Sequence, residues 1–364
     1  MTGVSCTALL SPLLLVAAPL PLAGQDTSPA SRSTVATASR PASPPGFSAA
    51  DRALAELVAR LRVPGGAIAV CQGGVLVHEH YVGRYGPDTR VPLASASKWL
   101  SGALVVAMVD AGRIELGAPI AKHLPEYAGA KASITVRHLF SHTSGLPLAS
   151  AAQDDPRASL RDVARAVAAA PLVSPPGTEF RYGGLSMQVG AAVLEVAGGK
   201  PWRELFGERV AEPLGLKDTR YGRAAAVLEP RVAGGASSSV RDYLRFLGML
   251  RNGGLLDGVR VLSPEAVEEL LRPQTGAAAM RGVVGLRRAG SRYALGNWVT
   301  HTGQDGRGLW NTSPGAFGCI PWLDRRNDVY GILLIEDRRG ARRRAGEVPD
   351  VIGAVYEALG LRRP

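Results

Sequence analysis

The sequence predicts an α+β fold in which one antiparallel sheet is built from both chain ends, with flanking helices and a helical lobe inserted between them. Three features point to it. A hairpin pattern lies near the start of the folded region, a second lies near its end, and the stretch 121–285 is mostly helical in its apolar spacing, punctuated by Gly and Pro. A chain of 364 residues with 46% apolar content can bury a large core, so one large globular domain is expected over 47–364. A cleft between sheet and helical lobe is the expected place for a binding site.

The chain opens on "ALLSPLLLVAAPLPLAG", a short apolar core followed by small residues. This predicts a cleaved secretory signal over 1–24, and hence a secreted or periplasmic protein. Pro12, Pro19 and Pro21 interrupt the run, which is well short of the roughly 18 apolar residues a membrane helix needs, so no integral membrane span is expected. No Lys or Arg precedes the run, and Cys6 lies too early in it to be a lipid-attachment site. Residues 25–46 are rich in Ser, Thr, Ala and Pro and too poor in large apolar side chains to fold, which predicts a disordered linker.

Next, "SAADRALAELVARLRV" has apolar residues at helical spacing, with Ser48 as the expected N-cap and "PGG" as the stop. "GAIAVCQ" and "VLVHEHYVG", separated by Gly73 and Gly74, read as the first hairpin. Residues 99–109 are apolar or small on every side, which predicts a buried helix closed by Gly112. "AFGCIPWLD", the turn "RRND" and "VYGILLIED" form the second hairpin. Val348, Val351, Ile352, Val355, Tyr356 and Leu359 then give one apolar face of a terminal helix.

Cys71 and Cys319 sit in strand-like runs, where small buried thiols are the more common outcome than a bridge. The formal charge of +11 comes from scattered arginines. Even the densest run, "DRRGARRR" at 337–344, has no aromatic interleaving or motif around it, so a nucleic-acid surface is not expected.

Lysine is scarce. It occurs only at 98, 122, 131, 200 and 217, so Lys98 inside an apolar segment stands out. Ser95 and Lys98 are three apart, hence on one helix face, with Ser95 at the N-terminal end where the helix dipole favours negative charge. A serine hydroxyl attacks well only when a neighbour takes its proton. A buried lysine can be that neighbour, because desolvation lowers its pKa, whereas arginine stays charged. The bland alternative has Ser95 as a helix cap and Lys98 snorkelling to solvent. His138 and His142 are four apart, but "HLFSH" lacks the Glu of a zinc hydrolase and shows no third ligand, so no metal is expected. No G-x-S-x-G elbow is present.

Further segments follow in a fixed order: "GRIELGAPIAKHLPEY", "ITVRHLFSHTSGLP", "PPGTEFRYGGLSMQVGAAVLEVAGG", "PLGLKDTRY", "AGGASSSVRDYLRFLGMLRNGG" and "SPGAFGCIPWLD". With "SASK", this series resembles the serine β-lactamase-related hydrolases: class C β-lactamases, D,D-peptidases and family VIII esterases. The resemblance covers roughly 48–360 and implies a β-lactamase/transpeptidase-like fold with no cofactor. It makes Ser95 the acylated nucleophile, Lys98 its proton partner, and Tyr182 of "YGG" the second proton relay. It assigns the oxyanion hole to the N–H groups of Ser95 and Ala316. It also sets Gly184, Ser313, Pro314 and Gly315 along the substrate.

Two departures bear on specificity. Gly184 stands where the family has Asn, and Ser313–Pro314 replace a cation and a hydroxyl that hold a substrate carboxylate. The expectation is therefore a serine hydrolase of small esters or amides, in which esters are favoured over β-lactams. The competing readings are a β-lactamase or D-alanyl-D-alanine carboxypeptidase, and a non-turnover binding or sensor domain of the same fold.

Overall fold

The computed structural model describes residues 45–155, 157–222, 231–281, 290–339 and 350–363. The predicted leader, nearly all of the linker, Val348 and most of the arginine run fall outside the described residues.

Pro45–Phe47 forms a 3-10 turn that leads into helix α1, Ser48–Leu61. Ser48 is the first helical residue rather than the N-cap. That position belongs to Phe47, which makes no side-chain cap bond and is buried instead. Strands β1, Gly65–Gln72, and β2, Val75–Gly83, form the expected hairpin. Its two-residue turn needs positive φ twice, and Gly73 and Gly74 supply +62° and +85°.

Strand β3, Val91–Pro92, and a 3-10 turn, Ala94–Ala96, precede helix α2, Ser97–Asp110. Every residue of α2 from Ser97 to Met108 is buried, as the all-round apolar pattern requires. Gly112, at φ +64°, follows its C-terminus. The helical lobe includes α3, Leu160–Ala169, and α4, Leu185–Gly198, which pack on each other. Strands β4, Arg220–Tyr221, and β5, Ala236–Ser238, pair with β3 in a small antiparallel sheet of order β3-β5-β4. Helices α5, Val240–Arg251, and α6, Pro264–Leu271, follow.

The chain then returns to the main sheet through β6, Arg292–Tyr293, β7, Trp298–Thr302, β8, Gly308–Thr312, β9, Ile320–Asp324, and β10, Val329–Ile335. The seven strands run in the order β6-β7-β8-β9-β10-β1-β2, all antiparallel. The two chain ends meet where β1 pairs β10, from Gly66 opposite Ile335 to Gln72 opposite Val329. The two predicted hairpins account for four strands. The strands β6–β8 are short and interrupted by Gly, Asn and Asp, so they lack the long alternating runs that announce the others.

Alternation along β1 divides the core. Ile68 and Val70 face α1 and the terminal helix α7, Val351–Ala358, together with Leu54, Trp322 and Tyr356. Ala67, Ala69 and Cys71 face the other way, towards α2 and the helical lobe. Cys71 and Cys319 are both buried free thiols. Among the described residues, no helix is long and apolar enough to cross a membrane.

Candidate active site

Ser95 is half-buried in the 3-10 turn that opens α2. The residue before it, Ala94, has φ +47°, a conformation a side chain normally avoids. Surrounding contacts impose it. Ser97 Oγ donates to the Ala94 carbonyl at 2.7 Å and accepts from the Ala236 N–H at 3.0 Å. The Tyr243 hydroxyl donates to the Ala96 carbonyl at 2.9 Å, and that of Tyr221 to the Ser97 carbonyl at 2.9 Å. The Leu93 N–H donates to the Ala236 carbonyl at 2.9 Å, continuing the β3–β5 ladder to the edge of the turn.

Lys98 lies one turn on, with only 4% of its surface exposed. Its Nζ is 3.1 Å from Ser95 Oγ and donates to the Ala233 carbonyl at 2.8 Å. Among the described residues no carboxylate forms an ion pair with it. Burial without a countercharge therefore pulls its pKa down to about 7. A neutral amine here can donate to Ala233 and still offer its lone pair to the serine proton. Snorkelling is ruled out by the burial.

Tyr182 follows a short strand, Glu179–Arg181, and its phenol is in hydrogen-bond contact with the Ser95 side chain. Its ring centroid is 4.7 Å from Lys98 Nζ, and the ring stacks on Trp298 and meets His142 edge-on at 4.9 Å. Burial holds the phenol pKa above its ordinary value of 10, an effect the Ser95 contact only partly offsets. Tyr182 is thus a protonated donor at neutral pH, and Lys98 is the group suited to accept.

The other predicted residues take different places. Gly184 heads α4, and a Cβ there would meet the Ala233 Cβ and Gln153 Nε2 at 3.4 Å, an ordinary contact distance. Ser313 is 2% exposed, and its one hydroxyl proton is shared between the carbonyls of Ser95 at 3.2 Å and Gly296 at 3.1 Å. Its side chain is occupied with holding the Ser95 turn. Pro314 is half-buried beside it. Gly315 must lack a side chain, because a Cβ would stand 2.1 Å from the Leu93 carbonyl oxygen. Ala316 is exposed in the turn that follows.

The two histidines do not share a site. The ring of His138 accepts from the Thr135 N–H at 3.3 Å in a capping box, whereas His142 is fully buried in the aromatic cluster of Phe180, Tyr182 and Tyr293. Burial first, and the charge of Lys98 second, drive the His142 pKa well below its usual value, so it is a neutral support for the Tyr182 ring. Tyr221, Tyr243 and Ala233 complete the site without having been expected there. Nothing in their local pattern sets them apart from core tyrosines or a loop alanine.

An antiparallel sheet closed from both chain ends, with a Ser-x-x-Lys turn buried against it and a tyrosine over the lysine, defines a β-lactamase/transpeptidase-like protein. The chain belongs to the Beta-lactamase family, whose model matches residues 50–352. An uncharacterized protein of Mycobacterium tuberculosis is 32% identical over 234 residues, which is 50% of this chain and 58% of that protein, so the chain spans little more than half of that relative. The esterase/beta-lactamase LipL of Mycobacterium tuberculosis is 26% identical, over 80% of this chain and 82% of its own. The crystal structure of a putative beta-lactamase from Bacteroides dorei superposes with a TM-score of 0.78 at 30% identity, over 85% of this chain and 98% of that one.

Proposed function

We propose that the protein hydrolyses small esters, and amides more slowly, through a covalent acyl-enzyme on Ser95. The observation that carries this reading is the 3.1 Å contact between Ser95 Oγ and a buried lysine whose pKa is pulled down to about 7. Neutral Lys98 takes the Ser95 proton as Oγ attacks the acyl carbon. The N–H groups of Ser95 and Ala316 are the proposed donors to the oxyanion, a contribution of about 3 kcal/mol to the transition state. The leaving alkoxide receives a proton from Tyr182, and the Lys98 ammonium, which lies over the Tyr182 ring, returns one to the phenolate. Water then enters, Lys98 and Tyr182 exchange protons in reverse, and the acid is released.

Esters are favoured because that sequence of steps calls on no carboxylate anchor. Ser313 is committed to backbone carbonyls, and Gly184 presents no amide. LipL is named for both esterase and β-lactamase activity, which makes β-lactams the alternative to test. Steady-state kinetics with p-nitrophenyl butyrate and a chromogenic cephalosporin decide between them. The ester's kcat/KM should exceed the cephalosporin's by about a hundredfold, the discrimination expected from two missing polar contacts. Efficient cephalosporin turnover would establish a β-lactamase instead.

A further inference from the structure

The small sheet that steadies the nucleophile turn with one face carries basic residues on the other. Register places Pro92, Ser237 and Arg220 side by side across β3, β5 and β4. Side chains alternate along a strand, so Val91 and Tyr221 turn inward, and Arg90 and Arg220 stand outward, where both are exposed. These two arginines line a cavity of about 410 Å³, together with Phe317 and Arg338. The Arg338 guanidinium lies 5.8 Å from the Phe317 ring centroid.

This cavity adjoins the reacting centre. Its wall includes Pro92, three residues before Ser95, and Gly234, where a Cβ would stand 3.8 Å from the Ala94 carbonyl. Phe317 directly follows Ala316. Among the described residues, the charged side chains that line the cavity are all basic. Arg338 Nε donates to Glu336 at 2.5 Å, but among the described residues neither Arg90 nor Arg220 forms an ion pair. Three guanidinium groups beside an aromatic ring and a proline suit an anionic group carried on a short apolar arm.

Building on the acyl-enzyme reading, we propose that this cavity is a subsite for an anionic group of the substrate, so that the preferred esters carry a carboxylate remote from the scissile bond. Ser313 and Pro314 provide no cation for such a group, whereas the cavity provides three: Arg90 and Arg220 from the outward face of the small sheet, and Arg338 from the loop after β10. Because the arginines are exposed, they act on selection and encounter more than on deep affinity, and salt weakens them.

The test uses three phenyl esters: phenyl hexanoate, monophenyl adipate with the carboxylate on the acyl arm, and 4-carboxyphenyl hexanoate with it on the leaving group. Calorimetric titration of the Ser95→Ala protein should give about tenfold tighter binding of one carboxylate ester than of phenyl hexanoate at low salt, the size expected of a few exposed charge pairs. Arg220→Glu should erase that preference, Arg220→Lys should retain part of it, and 0.5 M NaCl (roughly a 4 Å screening length) should weaken it. Equal binding of all three esters would overturn the subsite. Failure of the wild-type protein to hydrolyse any of them would instead overturn the acyl-enzyme reading, while the binding ratio still decides the subsite.

Discussion

The hydroxyl of Ser313 donates to the carbonyl oxygen of Ser95 at 3.2 Å, joining two motifs that lie 218 residues apart. With its second contact to Gly296, it fixes the Ser95 turn against the end of β8. From the sequence, Ser313→Lys would restore the family's carboxylate anchor. The structure predicts otherwise: a lysine at this buried position forfeits both bonds and strands its charge. Hydrolysis of every ester should fall, by about tenfold or more, with no gain in cephalosporin turnover. Parallel kinetics on both substrates check it, and a selective rise in cephalosporin kcat/KM would contradict it.

As the proposed base, Lys98 sets the expected pH dependence. Only its neutral form accepts the Ser95 proton, so kcat/KM should climb as pH rises through about 7 and then level. A profile flat from pH 5 to 9 (roughly two units either side of that midpoint) would show that Lys98 is no base.

The same burial predicts a stability cost. The folded pKa is depressed to about 7 from the ordinary lysine value of 10.5, so between those values the unfolded chain binds more protons and stability rises with pH. Lys98→Met should therefore abolish hydrolysis yet stabilise the protein near neutral pH by on the order of 1–3 kcal/mol, less at pH 10 than at pH 7. Thermal melting at the two pH values measures it. A fall in Tm at both would mean that the Ala233 bond outweighs the buried amine.

Tyr182→Phe removes a proton donor while keeping the ring on His142 and Trp298. The kcat should drop by about a hundredfold, with little change in Tm. Since the phenol titrates above 10, wild-type activity should persist to higher pH than an ordinary tyrosine would allow.

The Ser97 hydroxyl has no part in the proposed proton relay, but it holds the strained Ala94 and satisfies the Ala236 N–H. Ser97→Ala should cost about 1–3 kcal/mol of stability, because a buried donor is left unpaired. Labelling of Ser95 by a fluorophosphonate should survive. Denaturant unfolding and labelling, run together, separate the two effects.

Local pattern carries part of this architecture and not the rest. The first hairpin is legible in the sequence, because Ile68 and Val70 alternate with Ala67 and Ala69 and the double glycine at 73 and 74 supplies the turn. The apolar surroundings of Lys98 likewise declare its burial. The start of α1 lies one residue from where Ser48 would cap it, because Phe47 is held by packing and not by a cap bond. The roles of Ser313, Tyr221 and Tyr243 depend on which carbonyl each hydroxyl meets across more than 100 residues, and no local pattern carries that information.

The most direct measurement is intact-mass spectrometry of the protein after reaction with a fluorophosphonate, followed by peptide mapping of the adduct. One adduct on Ser95, absent from Ser95→Ala and formed faster as pH rises through about 7, is the predicted result. An adduct on any other serine, or none on a folded protein, would contradict the assignment of Ser95 and Lys98 as nucleophile and base.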